Sequence, residues 1–365
     1  MHNDVIIVIV VGTALAFDVT NGFHDTANVV ATSISTRAMS PRLAVAYAAA
    51  FNFAGAFISL AVAATIAQDV VDAGAITPTV VFAGLIGAIA WNLITWYFGL
   101  PSSSSHALIG GVVGSAFAAA GAGAVLGDGV LGKVLIPAVV APILAFVVGG
   151  VAIVVCYRTA GRLRPGPVAR GYRLGQVVSG GLLALAHGTN DAQKTMGVIT
   201  LALITNGNLA PNSDPPTWVI VSAASAIAVG TYSGGWRIIR TMGTRIIKMD
   251  PAQGFSAQGA GAAVILASSH YGFPLSTTHV ISGGVMGAGA GKRLSAVRWG
   301  VAGNIVTAWL LTLPAAAAIG AAAYGFTQIF GTGALGPAIV TAIGLALVVA
   351  AFARRIRQGA PVPAG

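Results

Sequence analysis

The sequence predicts an all-α polytopic membrane protein built from two inverted-topology repeats with broken helices and re-entrant hairpins. Three observations predict it. Of 365 residues, 56% are hydrophobic and 8% charged, where a soluble domain carries about a quarter charged residues; mean hydropathy is +0.85. Apolar runs recur from one end of the chain to the other. Two polar motifs of the first half return, in the same order, in the second.

The apolar runs cover 5–20, 26–36, 43–67, 79–100, 103–125, 133–157, 174–187, 192–205, 217–233, 256–270, 274–291, 297–325 and 333–353. Several are shorter than the roughly 20 residues a full span needs. Net charge is +10, but the basic residues cluster in short loops, where they set orientation; no nucleic-acid partner is implied. Arg158, Arg162, Arg164, Arg170 and Arg173 have no acid among them and are expected in the cytoplasm. So are Arg37 and Arg42, Lys292, Arg293 and Arg298, and the C-terminal Arg354, Arg355 and Arg357. The loops 68–78 and 206–216 have neither Lys nor Arg and are expected outside. WRIIRTMGTRIIKM reads as an amphipathic helix on the inner surface. The single Cys156 allows no intrachain disulfide and no Cys-rich metal site. The run from Val5 reads as a retained span, His2 and His270 as peripheral. The N-terminus is expected outside and the C-terminus in the cytoplasm, in a plasma (inner) membrane.

These sides agree if 5–20 and 26–36 make one crossing with a break at NGFHD, and 174–187 with 192–205 another with a break at GTND. The pairs 79–100/103–125 and 256–270/274–291 must return to the side they left. GFHDTAN aligns with GTNDAQK, and GLPSSSSHALIGGVVG with GFPLSTTHVISGGVMG; Asp25 and Asp191 are 166 residues apart, His106 and His279 173. The first half starts outside and the second inside, so the repeats are inverted, and the site of such folds lies near mid-membrane. The expected division is a first repeat over 1–157, an Arg-rich cytoplasmic linker over 158–173, a second repeat over 174–325, and an extra helix with a basic tail over 326–365.

Intramembrane polar groups are expensive, and four related by symmetry point to a site rather than to four kinks. Helices restarting at Asp25, at Asp191 and after the runs Ser102–Ser105 and Ser276–Thr278 would aim four N-termini at one spot, an anion site. Hydroxyls and amides suit a tetrahedral oxyanion. Asp25 and Asp191 oppose an anion unless cations join it; Lys194 is one, transported ions another. His24 stands where the second repeat has Asn190, and its imidazole tilts coupling toward protons or a metal–anion complex. His106 and His279 read as helix-orienting. Asn52, Asn92, Gln258 and Asn304 read as interhelical bonds. A Ser/His hydrolase has no G-x-S-x-G elbow here and no use for symmetric duplicates, and a channel needs a continuous polar pore; the chain is read as a carrier and not as an enzyme.

NGFHDTANVVATSISTRAM, LPSSSSH, HGTNDAQKTMGVIT and FPLSTTH resemble the inorganic phosphate transporter family of PiT type, and the likeness runs through both halves. The resemblance implies phosphate symport by alternating access. It implicates Asp25, Asn28, Asn190 and Asp191 of the signatures and Ser103, Ser104, Ser105, Ser276, Thr277 and Thr278 of the hairpins in substrate binding. His24, Asp25 and Asp191 are the coupling-ion candidates; Thr26, Gln193 and Lys194 are secondary. Many sodium-coupled members have Asn-Asp in both repeats, whereas His24-Asp25 resembles the bacterial low-affinity branch, which couples to protons and carries metal–phosphate complexes. The expected partners are inorganic phosphate, a coupling cation and the lipid bilayer. No cofactor is expected: a co-transported proton is favoured, with sodium or a divalent metal as alternatives. A homo-oligomer is left open.

Overall fold

The computed structural model describes residues 4–331 and 333–357, the side chains of 348, 349 and 351–357 excepted. His2 and the side chains of Arg354, Arg355 and Arg357 therefore lie outside the described residues. The first half contains α1 (Asp4–Ser35), α2 (Pro41–Gly55), α3 (Ala61–Gln68), α4 (Pro78–Phe98), α5 (Ser104–Ala120) and α6 (Gly127–Ala160). Then come α7 (Pro165–Thr205), α8 (Thr217–Ser233), α9 (Trp236–Arg245), α10 (Pro251–His270), α11 (Thr277–Ala290), α12 (Trp299–Gln328) and α13 (Leu335–Arg357). Among the described residues α1, α4, α6 and α12 are long and apolar enough to cross a membrane, and α8 and α9, bent by 60°, together qualify as a broken span or a re-entrant loop. On α6, Val139, Ile143, Val147 and Val151 are all more than half exposed, a face suited to lipid and not to water. The chain is a multi-pass membrane protein.

Equivalent helices of the two halves run antiparallel. Thr36, just past the end of α1, donates to Gln176 Oε1 of α7 (2.9 Å), Ser33 lies beside Gly180, and Asp25 reaches His187 and Asp191; numbering rises along one helix as it falls along the other. That is the inverted arrangement. α1 packs on α8, where a Cβ at Gly22 would stand 2.5 Å from the Ile227 carbonyl oxygen, and α7 packs in the same way on α2 at Gly188 against Asn52. The halves also interlock. Gly110 and Gly114 of α5 lie on Leu313 and Ala317 of α12, as Gly283 and Gly287 of α11 lie on Pro142 and Phe146 of α6. Small residues allow this close backbone approach.

Three sequence expectations change. The 43–67 run is two helices, because the Gln193 side chain accepts from Val62 N (2.9 Å) and Ala63 N (3.3 Å) and so starts α3 afresh. Most of the Arg-rich linker is helix, since Pro165 at its first turn is pre-set for helical φ. The apolar face of α9 and the residues after it is covered by protein instead of lipid: Ile238, Ile239, Met242, Ile246 and Ile247 are all buried in one core cluster.

The two ends differ in charge. At one end Arg173 Nε donates to the Thr36 carbonyl (3.0 Å), Arg298 N to the Ile246 carbonyl (3.0 Å), and Lys292 pairs with Asp250 (3.1 Å). At the other, Leu126 N donates to the Val70 carbonyl (3.1 Å), and a cavity of about 920 Å³ is lined by Gln68, Asp72, Asn206 and Asn212 among others.

Asp250 caps α10 in a capping box with Gln253. Partial burial works against its charge, but bonds from Tyr157, the Gln253 N–H and Lys292 hold its carboxyl below the ordinary range. A depressed carboxylate contributes stability above its unfolded value, about 3.9, and loses it as pH falls through the lower folded value. Asp250→Ala is expected to destabilise the protein by about 1–2 kcal/mol at neutral pH. Thermal unfolding in detergent checks this, and the deficit should shrink in acid.

Candidate functional site

Each hairpin turns tightly before a short helix. Gly99 (φ 67°) and Gly272 (φ 73°) adopt the left-handed conformation, which glycine takes without a Cβ clash. Pro101 and Pro274 come next. Ser103 and Ser276 then cap α5 and α11, their hydroxyl oxygens accepting from His106 N (3.1 Å) and His279 N (3.2 Å). This sets Ser104 and Ser105, and Thr277 and Thr278, in the first turns, at the positive ends of the two helix dipoles. The tips touch. Ser105 Oγ donates to the Leu275 carbonyl (2.9 Å), and the His106 and His279 rings meet edge to face at 4.7 Å. His279 also stacks on Trp309 at 4.1 Å.

The signature residues of α1 and α7 meet these tips. Ser104 Oγ donates to Asp25 Oδ2 (2.5 Å) and Thr278 Oγ1 to Asp25 Oδ1 (3.4 Å). Its counterpart Thr277 donates to Asp191 Oδ2 (3.4 Å). Asn28 and Lys194 occupy equivalent motif positions, and each crosses to the other half. Asn28 Nδ2 donates to Thr278 Oγ1 (2.9 Å) and Thr277 Oγ1 (3.3 Å); Lys194 Nζ donates to Ser105 Oγ (2.5 Å), the Leu275 carbonyl (2.8 Å) and Asp191 Oδ1 (2.5 Å). All of these side chains are buried.

α1 and α7 run unbroken through NGFHD and GTND. Asp25 and Asp191 therefore cap no helix, and the N-termini that meet at the site are those of α5 and α11, two where the sequence suggested four. A continuous helix keeps every backbone group paired at membrane depth, and Gly22 and Gly188 serve helix contact instead of a break. Thr26 bonds the Gly22 carbonyl (2.6 Å) and the Thr231 carbonyl (3.1 Å), tying α1 to α8. Gln193 is committed to α3. His24 and Asn190 each brace the hairpin of their own half. His24 Nε2 meets Thr95 Oγ1 (3.1 Å) and Ser102 Oγ (3.3 Å), and Asn190 Nδ2 donates to Ser269 Oγ (2.8 Å) and the Phe273 carbonyl (3.1 Å).

Each carboxylate has one imidazole beside it: His24 Nδ1 lies 2.7 Å from Asp25 Oδ1, and His187 Nε2 3.1 Å from Asp191 Oδ2. With both imidazoles neutral, two carboxylates and one ammonium leave an excess negative charge before any anion arrives. Asp25, His187 and Asp191 can each place a ligand atom within 4.8 Å of one another, the spacing at which a cation would be held. The Oδ1 atoms of Asn28 and Asn190 are buried without a partner, further acceptors at the same depth.

A family model described as the phosphate transporter family matches residues 21–169 and again 162–320. The chain belongs to the phosphate transporter family. It is 55% identical over 327 residues to a "probable low-affinity inorganic phosphate transporter" of Mycobacterium tuberculosis, covering 89% of this chain and 78% of that protein. A protein of the same description from Bacillus subtilis is 45% identical over 322 residues, covering 88% and 96%. These relatives are transporters by description, not enzymes. A solved structure titled "The sodium-dependent phosphate transporter" matches with a TM-score of 0.79 at 23% identity, over 89% of this chain and 99% of that one; at that identity the likeness speaks to the fold. Each of the two matched stretches contains one signature motif and one Pro-Ser/Thr-His hairpin of the site.

The sequence reading left His187 aside, although its i,i+4 spacing to Asp191 set both on one helix face. Thr95 and Ser269 gave no signal, since what they bind comes from distant helices, and Ser102 reads only as part of its serine run, not as a partner of His24. Gln193→Ala should weaken the start of α3 by about 1 kcal/mol. Amide exchange at Val62 and Ala63 should quicken while exchange within α1 stays unchanged.

Proposed function

We propose that this chain imports inorganic phosphate across the plasma (inner) membrane by alternating access, coupled to protons. The observation that carries the reading is the meeting, in one buried place, of two signature carboxylates with the hydroxyl tips of both hairpins. A phosphate anion both accepts hydrogen bonds and carries its own acidic protons. Ser104, Ser105, Thr277, Thr278, the Asn28 amide and Lys194 can donate to its oxygens, while Asp25 and Asp191 can accept from a P–OH. An oxyanion without protons would meet the carboxylates only as repulsion. The description of the relatives above supports the same substrate.

Coupling is a consequence of charge. Negative charge at the centre must be offset before an anion can enter, and a proton taken up at a buried acid or imidazole would offset it. The Asp25–His187–Asp191 grouping favours a second reading, in which a divalent metal travels with phosphate as cargo. We place the basic end of the bundle in the cytoplasm, with the N-terminus outside and the C-terminus inside, by the positive-inside rule. The two repeats, 1–157 and 174–325, would rock against each other around the site, with 158–173 as linker and 326–365 as the added helix and tail.

Labelled phosphate uptake into proteoliposomes under separate proton and sodium gradients, with and without magnesium, tests the reading. Uptake driven by the proton gradient and indifferent to sodium is expected. Uptake requiring sodium would overturn the coupling, and none under any gradient would overturn the substrate. Asp25→Asn and Asp191→Asn should each abolish uptake while remaining folded in the membrane; wild-type uptake by either would remove that residue from the site.

A further inference from the structure

Asp18 lies on α1 about two turns before Asp25, on the same face as Asn21, Asp25, Asn28 and Thr32. It is 0% exposed, and neither carboxylate oxygen has a hydrogen-bond partner. The Asn21 amide and the Thr195 hydroxyl stand beside it at distances that fall just short of full hydrogen-bond geometry. Yet both ends of the Asn21 amide and the Thr195 hydroxyl are buried and unpaired as well. A carboxylate, an amide and a hydroxyl from α1 and α7 thus face one point with no bond of ordinary geometry among them.

The charged groups that face Asp18 are Asp191 and Lys194. Lys194 is not free to pair with it. An ammonium has three N–H donors, and Asp191, Ser105 and the Leu275 carbonyl accept them. A buried carboxylate without a well-formed hydrogen bond is strongly disfavoured in its ionised form, so such a group takes up a proton or a counter-ion.

The other end of the polar stripe is fully bonded. Gln258 Nε2 donates to Thr32 Oγ1 (2.8 Å) and Ser33 Oγ (2.7 Å), and Ser179 donates to Gln258 Oε1 (2.7 Å). The unpaired groups Asp18, Asn21, Thr195 and Thr200 instead lie between the centre and the end of the bundle that bears loops 68–78 and 206–216. The repeat does not account for Asp18 either. Its counterpart at the signature offset is Ala184, so the two-fold site has an acid here on one side only.

We infer that Asp18 carries the co-transported proton. It binds the proton when the site opens toward the end bearing loops 68–78 and 206–216, and it releases the proton on the opposite side, where the carboxylate re-forms. Once protonated, its O–H can donate to Asn21 Oδ1 or Thr195 Oγ1, giving the orphaned groups a partner. Its charge reaches the phosphate site through Asp191 and Lys194. The assignment rests on the proton-coupled reading and adds to it the residue and the side of entry.

The test uses the full chain in proteoliposomes with two measurements: phosphate exchange at equal phosphate and pH on both sides, and net accumulation on a pH gradient. Asp18→Asn, a neutral isostere of the protonated acid, should exchange phosphate within about threefold of the wild-type rate yet accumulate it at least about tenfold less, with a flattened pH profile. Asp18→Glu should restore accumulation. Wild-type accumulation by Asp18→Asn overturns the inference and leaves proton coupling standing. Loss of exchange as well, in protein that elutes as folded, overturns it by assigning Asp18 to phosphate binding. A wild type that ignores the pH gradient and runs on sodium overturns the proton-coupled reading itself, and is recognised before any variant is made.

Discussion

Two carboxylates held out of water beside one ammonium are the constraint around which the molecule is arranged. Asp25 and Asp191 cannot sit at membrane depth on their own charge; Ser104, Thr277 and Thr278 donate to them, Lys194 pairs with Asp191, and an imidazole stands beside each. Removing one member of such a buried set costs about 3–5 kcal/mol. The proposed substrate groups are thus the same groups that hold the two hairpin tips to the two signature helices.

The backbone obeys that constraint. α1 and α7 stay continuous because a break beside two carboxylates would add unpaired amides and carbonyls to an already costly place. Around the two carboxylates the irregular backbone lies at the hairpin tips, where Gly99 and Gly272 turn the chain and Ser103 and Ser276 cap α5 and α11. Glycines elsewhere bring helices close enough to hold the tips: Gly110 and Gly114 on α12, Gly283 and Gly287 on α6. Each tip helix is held from both halves: α5 between α4 and α12, and α11 between α10 and α6.

Much of this was legible in the sequence because it occurs twice. The repeated GFHDTAN/GTNDAQK and Pro-Ser/Thr-His motifs revealed the hairpins and the residues that meet, and the loops without Lys or Arg separated the two ends. The continuity of α1 was not legible. Asn21-Gly22 has the composition of a turn, and only the arrival of α8 against Gly22 explains the glycine. Gln193 looked like part of the site because its partner, the start of α3, is 130 residues away. Ser103 and Ser276 could not be told from their neighbours until the caps they form were seen. Asp18 sat unremarked in ALAFDVTN, where one acid in an apolar run has no periodic signature.

The central claim is that phosphate binds between the two hairpin tips, against both signature carboxylates. Arsenate, nearly isosteric with phosphate, makes that claim directly visible through its anomalous scattering in crystals of the protein. The account predicts a single arsenic position within hydrogen-bond reach of Ser104 or Ser105 from one half and Thr277 or Thr278 from the other. An arsenic position confined to the cavity lined by Gln68, Asp72 and Asn206, with the tips still bonded to Asp25 and Asp191, would contradict it.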